Sequence, residues 1–332
     1  MFKRLTILIV VAVVAYSAYW VWGAWTFKRE YTTWFEDRAE EGWQAEYSAL
    51  SLRGYPNRFD ATWENVALAD PDTGLAWQAP FFQLLMLSYQ PNHVIAILPN
   101  THTLSTPEGR IEIANDSLQA SVVTTPSAGL ELDRANLVAQ TMTLRDRDDG
   151  VTALASLRAG IERLDGTEAT YRIGGEADGL ALSAPLMKRM GKSLPEAFET
   201  VRLRMEVAFD QPWGLSALED QRPQPRAIDL DVAEVAWGPM QLRIAGKVDI
   251  DARGVPKGEV SIQARNWRDM VALAEATGAL APSVAQGLME GLKLLAAMSG
   301  NDETIDVDLR LANGQTFLGI FPIGPAPRLT LR

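Results

Sequence analysis

Three clusters of side chains have types and spacing suited to chemistry. In SLRGYPNRFDATWENVALADP, Tyr55, Asn57, Arg58 and Asp60 crowd around a Gly54-Tyr55-Pro56 turn, with Phe59 and Trp63 just behind. A phenol, an amide, a guanidinium and a carboxylate together can bind a polar ligand or move a proton. The same residues also suit a chain reversal. Gly54 permits backbone conformations that other residues resist. Pro56 fixes φ and removes a donor, and it pushes Tyr55 towards an extended conformation. Arg58 and Asp60 then share one strand face and can pair. We read the motif as a structural corner.

His93, which follows Pro91 and Asn92, and His102 are the only two histidines in the chain. Their spacing puts them on neighbouring strand or loop segments. They could hold a metal as a pair, or one could serve a hydrolase together with a serine or carboxylate. No carboxylate-rich motif accompanies them, so both read as structural or surface residues. Asp146, Asp148, Asp149 and Gly150 in RDRDDG resemble part of a calcium loop. Arg145 and Arg147 interleave and the distal Glu is missing, so this is read as a solvated turn. Asp306 and Asp308 alternate with Ile305, Val307 and Leu309 and form the polar face of a strand. No nucleophile elbow, His-Glu-x-x-His helix, P-loop or Gly-x-Gly-x-x-Gly occurs. The expectation is no catalytic residue, no cofactor and no metal.

Composition narrows the class further. The 332 residues are 47% hydrophobic and 22% charged, as in folded chains. The net charge of −11, without a Lys/Arg cluster, argues against nucleic acid. Cysteine is absent, which removes disulfides, thiolate zinc sites and cysteine nucleophiles, and fits an oxidising compartment.

The elements that would position these residues begin with a membrane segment. Leu5–Phe27 carries no charge and is long enough to span a bilayer as a helix. Tyr16, Tyr19, Trp20, Trp22 and Trp25 gather in its second half, as at a membrane–water interface. Lys3 and Arg4 precede the run, and Lys28 and Arg29 follow it. With its short N-terminal tail, the run is read as an uncleaved signal anchor, N-terminus in the cytoplasm. The rival is a signal peptide cleaved near Ala15. The expected order is a tail (residues 1–4), an anchor (5–27), a juxtamembrane helix (28–46) closed by Gly42, and a first sheet region (47–210). A Pro-rich connection (211–226) and a second sheet region (227–332) follow.

Period-two alternation dominates after the anchor. Phe59, Ala61 and Trp63 fall on one strand face, with Arg58, Asp60, Thr62 and Glu64 on the other. Val201, Leu203, Met205 and Val207 face in, and Arg202, Arg204 and Glu206 face out. One or two helical turns are expected near residues 184–200, the second opened by Pro195. Four strands are expected from 227 to 266, turning at Gly238-Pro239 and at Gly254-Val255-Pro256. Asn266 should cap a helix. A second helix should present Val284, Leu288, Leu292, Leu295 and Met298 on one face, and two strands should close the chain. The fold class is α+β and mostly β: one N-terminal helix, then a long antiparallel sheet or two half-sheets, with the main helix pair near 266–298.

Taken together, the anchor, GYPNRFD, WQAPFFQLLMLSYQPNHVIAILP and the closing FLGIFPIGPAPRL, with Gly324 and Pro325, resemble a bacterial family known only as a domain of unknown function. That resemblance implies a membrane-anchored periplasmic protein and carries over no catalytic residue. GKVDIDARGVPKGEVSIQARNW is similar in its strand–turn–strand style to AsmA-like envelope proteins, which are associated with lipid transport. The functional expectation is a sheet-lined groove for lipid or another apolar envelope molecule. The alternatives are a protein-binding scaffold in the envelope and a hydrolase with an unmarked site.

Overall fold

The structure is a computed structural model that describes residues 2–189, 194–219, 222–299 and 302–331. The chain divides into two compact units: residues 1–123 with 143–149, and residues 124–142 with 150–332. The strand ladders are antiparallel.

The first unit opens with α1 (Phe2–Glu40), one uninterrupted helix that is long and apolar enough to cross a membrane. It has no break at Phe27, and it ends before Gly42, whose φ of 93° leaves the helix. Residues 44–46, expected as helix, instead form β1 (Gln44–Glu46) and pair with a strand. Next come β2 (Ala49–Arg53), β3 (Arg58–Asp70), β4 (Leu75–Leu87), β5 (Gln90–Leu98), β6 (Thr101–Thr106), β7 (Gly109–Ala114) and β8 (Ser117–Thr124). β3 buries Phe59, Ala61 and Trp63 as the alternation requires. It runs past Asn65 (φ 51°), and β4 runs past Pro80, because the ladder omits that one facing pair, where proline has no N–H to give.

The sheet face of Ala61, Trp63 and Val66 is covered by α1 through Phe35 and Tyr31. Burial pushes the Tyr31 phenol up to about 12.

β9 (Leu132–Arg145) contributes to both units and pairs with β7 at one end. The second unit continues with β10 (Val151–Arg163), β11 (Thr170–Asp178), α2 (Ala184–Arg189), β12 (Thr200–Phe209), α3 (Ser216–Glu219), β13 (Pro225–Trp237), β14 (Met240–Ile250) and β15 (Pro256–Arg265). The helices α4 (Trp267–Ala276) and α5 (Pro282–Ser299) follow, then β16 (Thr304–Ala312), β17 (Gln315–Leu318) and β18 (Phe321–Pro325).

Several local expectations change here. Residues 227–266 hold three strands and not four, because β13 is one long strand with a bulge between Leu230 and Ala233. Pro195 opens no helix; the nearby chain is irregular, with one isolated bridge at Ala197. Asn266 sits at the start of α4 with φ 54°, but its side chain donates to the Pro239 carbonyl at 2.8 Å and does not cap the helix. α5 packs through Ala285, Met289, Leu292, Leu295 and Ala296, while Val284 and Leu288 are exposed. Leu292 and Leu295 pack as expected, and the fully buried positions are the small Ala285 and Ala296, which let the helix approach its neighbours closely and leave Val284 and Leu288 outside. The Met298 side chain lies outside the described residues. Chain closure uses three strands, since QTFLGIFPIG folds into a hairpin at Gly319 (φ 60°). Residues 211–226 do not separate units, because β12 and β13 on either side of them are ladder neighbours.

Candidate functional site

The predicted corner is real, and it is also a landing pad. Gly54 has φ 105°, and a Cβ there would lie 2.8 Å from the Arg58 carbonyl oxygen, so glycine is required. The Tyr55–Pro56 peptide is cis. Arg58 and Asp60 pair as expected, Nε to Oδ1 at 3.0 Å and Nη2 to Oδ2 at 2.6 Å. Ser88, fully buried, ties the corner to the turn before Pro91, Asn92 and His93. Its N–H donates to the Asn57 carbonyl at 2.8 Å and its Oγ to the Pro56 carbonyl at 3.1 Å.

The N-terminal helix closes over this junction. Tyr16 Oη meets Ser88 Oγ at 2.8 Å, and Tyr19 Oη donates to the Ser88 carbonyl at 2.5 Å. Trp20 Nε1 donates to the Arg58 carbonyl at 2.8 Å, and Ser17 Oγ lies 2.8 Å from Tyr55 Oη. The Phe59 ring sits among Tyr19, Trp20 and Phe27, at centroid distances of 6.5, 5.6 and 5.2 Å. Gly23 leaves the space that the ring occupies. Tyr16, Tyr19 and Trp20, read from sequence as an interfacial belt, therefore bond to protein, with Tyr16 and Tyr19 still partly exposed, while Trp22 and Trp25 are more fully exposed. Sequence reasoning missed Ser88 entirely. The docking stripe had a usable signal: Tyr16, Trp20, Gly23, Phe27, Tyr31 and Phe35 recur every three to four residues, the period of one helix face.

The other candidates stay apart. His102 is buried on β6 with Nδ1 donating to the Pro99 carbonyl at 3.3 Å and its ring against Trp77. His93 pairs across its strand with Val123. Among the described residues, no three His, Asp or Glu side chains gather as a metal site. Asp146 and Asp149 shape a turn in which the Asp148 N–H donates to Asp146 Oδ1 at 2.9 Å. Gly324 and Pro325 fall in β18, beyond the exposed Ile320 and Phe321.

Burial holds the His102 pKa below its usual 6.5. The folded state thus favours the neutral ring, and the contribution is intact above pH 6.5 and lost as pH falls below it. Melting temperature should drop between pH 7 and 5.5, and His102→Gln should flatten that part of the profile. An unchanged slope would show that another group carries it.

The most extensive constellation was only half visible in the sequence. In the second unit the cross-strand registers align apolar residues into continuous rows. One row runs Ile161, Ile173, Met205, Leu230, Gly246, Val260, Leu309, Leu318 across β10 to β17. At about 4.8 Å per strand it is roughly 34 Å long. A second runs Gly175, Leu203, Ala233, Ile244, Ile262, Val307.

Both rows are half-buried. One margin is closed by α4 and α5 over Ala264 and Ile305, and the other by buried Tyr171, Val207, Val248 and Leu311. The opposite face is charged. There Arg202 bridges Glu176 at 3.0 Å, Arg172 bridges Glu206 at 2.9 Å, and Lys247 bridges Asp229 at 2.5 Å. The sheet is thus sided, with one face wet and the other apolar and only partly covered.

These features define a class: an antiparallel β-sheet protein with a long apolar N-terminal helix packed on its first strands. Within it, the chain belongs to the bacterial family described as "Uncharacterized protein conserved in bacteria (DUF2125)", which it matches over residues 20–327. No curated protein and no solved structure matches the chain.

Proposed function

We propose that this protein is anchored in the bacterial inner membrane by α1, with its sheet units in the periplasm, and that it binds lipid or another apolar envelope molecule. The observation that carries the reading is the half-buried apolar band between the two closed margins in the second unit. Burying such a band against an acyl chain would recover roughly 25 cal/mol per Å² of covered apolar surface. The charge-free run Leu5–Phe27 supports the anchor.

Native mass spectrometry of the detergent-extracted full chain tests the binding. Wild type should carry an added apolar mass. Ile262→Asp, which puts a carboxylate in the middle of the band, should lower occupancy at least about tenfold while the charged-face control Lys257→Asp retains it. A clean apo mass for wild type would sink the lipid reading. The scaffold alternative would then stand on the exposed Ile320, Phe321 and Ile323 of the C-terminal hairpin.

A further inference from the structure

We infer that the corner itself, Tyr55–Asn57 with the Ser88–Tyr89 turn, is seated in the bilayer at the boundary between hydrocarbon and headgroups. Tyr55 and Tyr89 would face lipid there. The inference rests on the anchor reading of α1.

The first argument is length. A membrane span needs about 20 helical residues to cross roughly 30 Å of hydrocarbon. Counted from Leu5, where the charge-free run begins after Lys3 and Arg4, the span reaches Ala24. Yet α1 is already bonded to the sheet at Tyr16, Ser17, Tyr19 and Trp20. Of the charge-free run that follows Lys3 and Arg4, only residues 5–15 stand clear of the sheet, about 16 Å of helix at 1.5 Å per residue. The charge-free run therefore meets the corner before it is long enough to cross, so whatever bonds Tyr16 to Trp20 shares their depth.

The second argument is independent and concerns backbone polarity. Non-helical backbone at membrane depth must have its hydrogen bonds satisfied by protein. The corner meets that condition at five of its carbonyls. The carbonyls of Gly54, Pro56, Asn57, Arg58 and Ser88 each accept a bond from within the unit: from Arg58 N–H, Ser88 Oγ, Ser88 N–H, Trp20 Nε1 and Tyr19 Oη. Pro56 has no N–H to satisfy. The outward side of the corner carries two large rings, with Tyr55 56% exposed and Tyr89 68%, level with the exposed Trp22 of the helix, beside the exposed Pro56, Asn57 and Gln90. Phenol and indole rings with a polar edge favour the headgroup boundary. The nearby Arg58 charge is already matched by Asp60.

The absence of cysteine gives a clean test on the full chain. Single variants Val11→Cys, Tyr55→Cys, Tyr89→Cys and Asp72→Cys carry an environment-sensitive fluorophore in nanodiscs of phosphatidylethanolamine and phosphatidylglycerol. Quenching by lipid-borne nitroxide is compared with quenching by aqueous iodide. Asp72 lies in the turn at the far end of β3 and serves as the aqueous reference. The expected result is several-fold stronger nitroxide quenching at Val11, Tyr55 and Tyr89 than at Asp72. Tyr89 is decisive, because Tyr55→Cys also removes the contact to Ser17. If Val11 is in lipid but Tyr89 behaves like Asp72, the seating of the corner is wrong and the anchor stands. If Val11 is also aqueous, the anchor reading fails and takes this inference with it.

Discussion

Phe59→Ala should destabilise the first unit by about 3–5 kcal/mol, the cost of an aromatic-sized cavity in a packed core. Phe59 is 1% exposed, and its ring is the body against which Tyr19, Trp20, Gly23 and Phe27 of α1 rest. The loss is larger than for an isolated core residue because one deletion removes contacts to three other rings. Aromatic pairs add about 0.5–1.5 kcal/mol each beyond area burial. Between its polar contacts at Tyr16 to Trp20 and its packing from Tyr31 onward, the helix would then lose the apolar body that seats it. Two measurements check this: a lowered melting transition in detergent, and faster tryptic cleavage after Lys28 and Arg29 under native conditions. Wild-type cleavage rates in a destabilised variant would mean the helix is not held by this ring.

Gly258→Ala should have a comparable effect in the second unit, roughly 3 kcal/mol or more. Gly258 has φ 156°, and a Cβ there would lie 2.0 Å from the Lys247 carbonyl oxygen and 2.8 Å from the Val248 Cα. Those atoms are backbone of the paired strand, so they cannot rotate away. Even one methyl must push β14 from β15. For a unit of this size that corresponds to a melting shift on the order of 6–12 °C. Because the apolar rows cross these two strands, the variant should also lose bound apolar mass. A shift under about 2 °C would show that the two strands can separate locally at no cost.

The corner shows how far local reading goes. Gly54 and Pro56 announced a reversal by their own conformational limits, and the spacing of Arg58 and Asp60 announced their ion pair. Ser88 gave no signal, because a lone serine between Leu87 and Tyr89 acquires meaning only when folding brings it under Pro56 and Asn57. The α5 stripe was right at Leu292 and Leu295 and wrong at Val284 and Leu288 for a similar reason. Periodicity finds a set of faces, and the choice among them fell to the small alanines, whose value depends on what lies opposite.

By itself the sequence determined the apolar N-terminal helix, the strand alternation and the positions of most turns. Each depends on residues within a few positions of one another: a charge-free run, a period of two, a glycine able to take positive φ. Only the tertiary structure decided the strand registers that join scattered Leu, Ile, Val and Met residues into two rows. It alone also decided that the aromatic half of the N-terminal helix packs against the sheet. Both depend on which segments become neighbours, and period-two alternation gives a strand's faces without naming its partner.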